Sequence, residues 1–317
     1  MTEQNADKTA DVSPWEGYFE QNIIPLVEAD NKLKDKYRGR FWCYLWTVIF
    51  LMSSNALVVL FNVLMHGRPI SYEQLLIVNV VAFSFVIWPI YSYYRQPRAD
   101  IFAEFIKFFG NWKLAHNAEV KLVHSPIIPK HDFVTSTHNA DGEIAGAKLQ
   151  LRDTFYEKKL IFGNKNWRHT VSAGIILYIE FEQKFKDKIL LFDRSGFYRK
   201  SRFDDLDNQN NNIEIPAANY FNIFSADKKF TVSFISPTFL ERLLDMSDDF
   251  AARHTYVEIN ENYMRIYFEG SRLYFDNYKL WSDKIDKDKF RQLHKQFESI
   301  MTFIYIVKEL LYRTEND

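Results

Sequence analysis

The chain has 317 residues with 29 Phe, 18 Tyr and 7 Trp, enough for one membrane unit and one globular domain of ordinary size. Its 40 Lys+Arg against 41 Asp+Glu leave a formal net charge of -1, so no global field exists to gather nucleic acid. The single cysteine, Cys43, excludes an intrachain disulfide framework and a cysteine zinc cluster.

Residues 1–14 are polar and short of core-forming side chains, and are expected to be a disordered tail. Across 15–40, Trp15, Tyr18, Phe19, Ile23, Leu26, Val27, Leu33 and Tyr37 recur at helical spacing. They predict an amphipathic cytoplasmic helix leading into the next segment.

Phe41 to Met65 is 25 residues without a charged side chain, and Leu75 to Tyr94 is another 20. At the rise of an α-helix each run reaches about 30 Å, the thickness of the hydrocarbon core. Together 41–94 are expected to form a transmembrane hairpin.

Lys32, Lys34, Lys36, Arg38 and Arg40 precede the first run and Arg95 and Arg98 follow the second, whereas the loop between carries only Arg68. The charge bias puts both termini in the cytoplasm. Trp42 and Trp46 open the first span and Trp88, Tyr93 and Tyr94 close the second, so one aromatic belt marks the cytoplasmic interface. Counting inward from the loop, Asn62 lies level with Asn79, and Asn55 with Ser84. These pairs are expected to hydrogen-bond across the hairpin. No ionisable group lies at midplane, which argues for an anchor and against an ion path.

Residues 95–317 are expected to form a cytoplasmic α+β domain. Apolar positions from Ile101 to Trp112 predict a helical arm after the second span. Glu143 to Tyr156, Thr170 to Phe181, Lys188 to Asp193, Asn212 to Ile215, Phe230 to Phe234, Tyr256 to Ile259 and Tyr263 to Phe268 read as strands. Turn signals fall at Asp141-Gly142 and Ser195-Gly196, and a mainly antiparallel sheet is expected. Ser236-Pro237 before Phe239, Leu240, Leu243, Leu244 and Met246 predicts one capped helix.

The C-terminal helix repeats Phe290, Phe297, Ile304 and Leu311 at one heptad position and Leu293, Ile300 and Val307 at the other. That stripe predicts a coiled-coil-like seam, packed within the chain or offered to a protein partner or a second copy.

Tyr18-Phe19, Ile24-Pro25-Leu26, the block Ile176 to Leu191, and Tyr220 to Met246 with Phe221, Phe224, Phe230, Val232, Ser236-Pro237, Phe239 and Leu240-Glu241-Arg242-Leu243 carry a resemblance. In this order they resemble the bacterial membrane-protein family known as domain of unknown function 3137. The chain departs from that pattern in the loops Asp204 to Asn212 and Asn164 to His169. The resemblance implies a bacterial inner-membrane location and no established activity.

Chemistry is sparse. With 10 glycines the chain has no dinucleotide or phosphate-cradling loop. A calcium loop beginning at Thr137 would carry Asn139, Asp141 and Gly142 but meets Lys148 where a glutamate must close it. Asp204 to Asn212 lacks both the glycine and the glutamate. The 8 histidines include no His-x-x-x-His pair. Ser195 lacks the glycines of a nucleophile elbow. No cofactor is expected.

Three functions follow. A membrane-tethered interaction or assembly module is the first; a lipid- or small-ligand-binding domain at the membrane surface is the second. A hydrolase with a dispersed site is the third, and a cleft collecting two or more of His124, His131, Asp132, His138 and Asp141 would favour it.

Overall fold

The computed structural model describes residues 14–66, 72–96, 100–116, 125–162, 165–194, 219–273, 280–281 and 283–316. Two compact units result: residues 1–105 with 275–287, and residues 106–274 with 288–317.

In the first unit, α1 (Pro14–Tyr18), a π-helical turn (Phe19–Ile23) and α2 (Ile24–His66) run on as one helix. Pro25 explains the π turn. It has no N–H to donate and its ring would meet the preceding turn, so the chain widens just before it. Ile24 N donates to Phe19 O across the wider loop. From Pro14 to Met65 the helix is 52 residues long, and its most apolar stretch is 6% buried. By length and composition it suffices to cross a membrane.

Helix α3 (Tyr72–Arg95) runs back along α2. Tyr37 packs on Tyr93, and Val48 on Ala82 and Val86. The short side chain of Ala82 lets the helices approach there. The short helix α4 (Ile101–Lys107) follows. Tyr18 donates to Glu104 O at 2.8 Å, and Trp15 meets Phe105 edge-on at 5.5 Å.

The second unit is an antiparallel sheet of eight described strands: β1 (Lys113–His116), β2 (Phe133–Ile144), β3 (Ala147–Phe162), β4 (Lys165–Glu180), β5 (Ile189–Asp193), β6 (Phe221–Ser225), β7 (His254–Asn260) and β8 (Tyr263–Glu269). Their order is β1-β2-β3-β4-β8-β7-β5-β6. Strand alternation sends Leu149, Leu151, Ile175, Leu177, Ile179, Ile189, Leu191, Val257, Ile259, Met264, Ile266 and Phe268 to one face, all buried. On the opposite face Leu190, Phe192, Tyr256 and Tyr267 pack with Tyr156 under Ile127 and Ile128.

Three helices are described in this unit: α5 (Lys228–Phe234), α6 (Pro237–Asp249) and α7 (Lys287–Asn316). Ser236 caps α6 as the sequence predicts, its Oγ accepting from Phe239 N at 3.2 Å. The heptad stripe of α7 lies inside the domain: Phe290, Leu293, Phe297, Ile300, Ile304, Val307 and Leu311 are all buried. Phe297 stacks on Phe109 at 4.8 Å and meets Trp112 edge-on.

Two local predictions fail. Phe230 to Phe234 is helical, because Asp227 accepts from Phe230 N and caps a first turn that buries Phe230, Thr231 and Phe234. Val232, which fitted an alternating strand, points outward. The β2–β3 turn is not at Asp141-Gly142, which lies within β2. It falls at Ala145-Gly146, with φ of +50° and +72°. Gly142 instead serves packing: a Cβ there would come within 2.3 Å of Trp112 Cδ2. The tail through residue 13, the strand Asn212 to Ile215 and the turn Ser195-Gly196 lie outside the described residues.

Asp187, between β4 and β5, fastens the start of α5. Its carboxylate accepts from Ser225 Oγ at 2.5 Å, Asp227 N at 2.7 Å and Ala226 N at 3.0 Å. Burial alone would raise its pKa, but the hydrogen bonds from Ser225 and the backbone outweigh it and hold it below the ordinary 3.8. A depressed carboxylate stabilises the fold above its unfolded pKa, and that stability disappears as pH falls through the folded value. Asp187→Asn is therefore expected to flatten the acid limb of the stability curve below about pH 4. Unfolding followed by tryptophan fluorescence against pH measures this; an acid limb identical to the wild type would refute it.

Candidate functional site

A catalytic reading has to begin with the buried polar groups of the sheet. Glu258 on β7 and Arg265 on β8 are cross-strand partners, joined Nη1 to Oε2 at 2.6 Å. Ser125 donates to the same Oε2 at 2.6 Å, Tyr263 donates to Oε1 at 3.3 Å, and the Arg265 guanidinium lies over the Tyr263 ring. Glu269 accepts from Ser172 at 2.8 Å and Tyr256 at 3.1 Å, and Ser172 also meets the Tyr267 hydroxyl at 2.7 Å. Both carboxylates are thus held by donors, as buried charge requires. Burial drives the Tyr156 phenol well above its ordinary pKa, and those of Tyr178 and Tyr263 upward, so these hydroxyls stay protonated. Neither cluster pairs a nucleophile with a base at a reachable surface; they act as structural networks.

Among the described residues, His131, Asp132 and Asp141 have separate partners. His131 packs on Tyr156, Asp132 accepts from Lys159 N, and Asp141 pairs with Arg152 on the outer strands. His124 and the side chain of His138 lie outside the described residues. No group of three or more His, Cys, Asp or Glu side chains suited to a metal ion occurs among the described residues. A cleft between α6 and α7 collects Asp245, Asp248, Asp249 and Glu298 with Arg242 and Lys295. There Asp249 binds Lys295 at 2.7 Å and holds its ammonium above the ordinary pKa, and Arg242 binds Asp245 at 2.9 Å.

One surface stands out by exposure. Strands β3 and β4 run 16 residues each, past the ends of their neighbours, since β2 pairs β3 only as far as Glu157 and β8 pairs β4 only from Gly174. Beyond those points they form a two-stranded arm. Leu160 and Trp167 are direct partners across it, as are Lys158 and His169. All four are exposed, Trp167 to 59%. An exposed aromatic and aliphatic pair flanked by a cation has the make-up of an interface anchor. On the arm's other face, Arg168 covers Phe133 and pairs with Glu157.

A second feature lies in the first unit. Asn31, Lys34, Asp35 and Arg38 form one stripe on α2 and bind residues 280 and 283–285 as a strap. Asn31 donates to Ile285 O at 3.1 Å and accepts from Ile285 N at 2.9 Å. Lys34, 0% exposed, donates to Asp283 O and pairs with Asp30. Asp35 pairs with Lys284 at 2.6 Å, and Arg38 Nε donates to Leu280 O at 2.7 Å. At the strap's start Trp281 meets Phe41 edge-on at 4.8 Å and Trp42 at 6.4 Å.

The interface residues named from sequence are mostly exposed, but not all. Trp42, Trp46, Trp88 and Tyr94 face outward, Arg40 lies over Tyr37, and Arg95 over Tyr91. Tyr93 is fully buried between Tyr37, Tyr94 and Leu280, so it is a packing residue rather than a belt residue. Arg98 lies outside the described residues.

Of the polar positions in the paired helices, Asn55 and Asn79 line one cleft with Met52, Ala56, Val59, Leu60 and Val63. Ser84 is exposed and donates to Val81 O at 2.6 Å within its own helix. The side chain of Asn62 lies outside the described residues. Val48 also packs on Val86, and in that register Asn79 falls level with Asn55. Sequence reasoning missed the arm, Trp281 and the stripe Asn31, Lys34, Asp35. An apolar Leu280-Trp281 amid charged residues, and the i, i+3, i+4, i+7 spacing of the stripe, were the available signals.

Residues 170–311, from β4 into α7, match the model of the family described as "Protein of unknown function (DUF3137)". The resemblance read from Ile176 to Leu191 and Tyr220 to Met246 thus holds over that stretch. No curated protein matches the chain. Among solved structures, the crystal structure of the mycobacterial trehalose monomycolate transport factor A, TtfA, is similar at 8% identity and a TM-score of 0.31, covering 55% of this chain and 75% of that one. A likeness that slight carries no argument about fold or function.

Proposed function

We propose, for a chain whose residues 170–311 match a family of unknown function, that a two-helix transmembrane hairpin tethers an interaction module to the cytoplasmic face of a bacterial inner membrane. The observation that supports the tether most is the bareness of α2. Its apolar stretch is 6% buried, whereas a core helix of a soluble domain would be mostly covered. Leu57, Phe61 and Leu64 on α2, and Val80, Phe85 and Ile87 on α3, add outward-facing apolar surface. Hydroxyls in these helices are satisfied within them: Thr47 donates to Cys43 O, Ser53 to Ile49 O and Ser54 to Phe50 O. That is what hydrocarbon demands of polar groups.

The module's contact surface is the arm. Leu160 and Trp167, with Lys158 and His169 beside them, suit a protein partner that presents an apolar pocket edged by acidic groups. The heptad stripe of α7 is not available for this, being covered within the domain. A photo-crosslinking residue at Trp167 of the full chain, in native membranes, tests the assignment. A discrete protein adduct is expected, absent when the same probe replaces exposed Lys229. No adduct, or the same adducts from both positions, would overturn it.

A further inference from the structure

We infer that residues 280, 281 and 283–285 form a second membrane contact, with Trp281 seated among the lipid headgroups beside Phe41 and Trp42. This rests on the reading of α2 as a membrane span.

The strap's direction along α2 is fixed by its bonds. Ile285 is held at Asn31, Asp283 at Lys34 and Leu280 at Arg38, so the strap runs opposite to the helix and its beginning lies nearest the apolar run. Trp281 accordingly reaches Phe41 and Trp42, the first two residues of the 25 uncharged positions. A span that starts at Phe41 puts its first turn at the boundary between headgroups and hydrocarbon.

Trp281 is 49% exposed although two aromatic rings pack against it. For an indole in water such exposure is costly, but at a bilayer interface its apolar body and polar N–H both find their medium. The charges around it fit the same place. Arg38, whose Nε holds Leu280 O, and exposed Arg40 flank the level of Trp281 and suit anionic headgroups. The strap is held chiefly through its backbone, which leaves the Trp281 side chain free to serve the interface. Asn31 gives both a donor and an acceptor to Ile285, and buried Lys34 reaches a carbonyl rather than solvent.

The test uses the full chain with Cys43→Ser, carrying in turn Trp281→Cys, Trp46→Cys or Tyr220→Cys, each labelled with an environment-sensitive fluorophore. The proteins are reconstituted in vesicles of phosphatidylethanolamine and phosphatidylglycerol. At position 281 the emission is expected to be blue-shifted relative to position 220, protected from iodide several-fold, and quenched most by lipids with a nitroxide at the headgroup. Position 46 should be quenched more by lipids carrying the nitroxide on the acyl chain. A label at 281 as open to iodide as the one at 220, with 46 protected, would overturn this inference and leave the membrane span standing. Iodide reaching position 46 as well would overturn the span itself and the inference with it. Should the label disturb the strap, brominated lipids quenching the wild type no more than Trp281→Phe would overturn it equally.

Discussion

Phe297→Asp is expected to unfold the β domain, not to separate one copy of the chain from another. Phe297 is fully buried, stacked on Phe109 and edge-on to Trp112, in the middle of the stripe that runs from Phe290 to Leu311. Removing a buried Phe side chain costs about 3–5 kcal/mol, and a carboxylate placed in the same apolar site adds more or must take up a proton. Against a total stability of about 5–15 kcal/mol the domain does not survive the change. A free intermolecular seam would behave differently: the domain would stay folded and only its association would be lost. Circular dichroism and protease digestion of the purified chain distinguish the two. A folded, protease-resistant Phe297→Asp protein of smaller assembly size would contradict the burial of this stripe.

The second large effect concerns the pair inside the sheet. Arg265→Met is expected to cost about 3–5 kcal/mol, because it leaves the Glu258 carboxylate buried with only hydroxyl donors from Ser125 and Tyr263 and the distant Lys188. Glu258→Gln should cost less, since the amide still accepts from Ser125 while the guanidinium retains the faces of Tyr263 and Tyr178. Glu258→Leu combined with Arg265→Met removes both charges from between β7 and β8, and is expected to come within about 1.5 kcal/mol of the wild type. Denaturant unfolding of the wild type, Glu258→Leu, Arg265→Met and the double variant forms a double-mutant cycle. Additive losses, with no coupling between the two positions, would show that the ion pair is not the buried unit described.

The antiparallel sheet was legible because its central strands carry unbroken apolar or alternating runs, as in Ile189 to Phe192 and Tyr263 to Phe268. The start of α6 was legible for a different reason, since Ser236 followed by Pro237 is a local chemical signal. Short segments misled where two periods fit one string. Phe230, Val232 and Phe234 alternate like a strand, yet Phe230 and Phe234 are also one helical turn apart, and the Asp227 cap decides. Gly142 looked like a turn because nothing local reveals that Trp112 presses on it from another strand region.

The arm was hidden for a related reason. Lys158 to Phe162 reads as an ordinary strand, and only the ends of β2 and β8 reveal that the hairpin outruns its neighbours. The strap required knowing that Leu280 and Ile285 return to Arg38 and Asn31, 242 and 254 residues away in the chain. Local propensity contains no trace of such pairing.

The central claim is the hairpin, and side-selective labelling of intact cells measures it directly. In the Cys43→Ser background, single cysteines are placed at Arg68, between α2 and α3 in the sequence, and at Thr9 and Asp317, near the two ends. A membrane-impermeant maleimide should react with the Arg68→Cys protein in intact spheroplasts, and with the Thr9→Cys and Asp317→Cys proteins only after the membrane is opened. Reaction of all three positions from the same side would contradict the account.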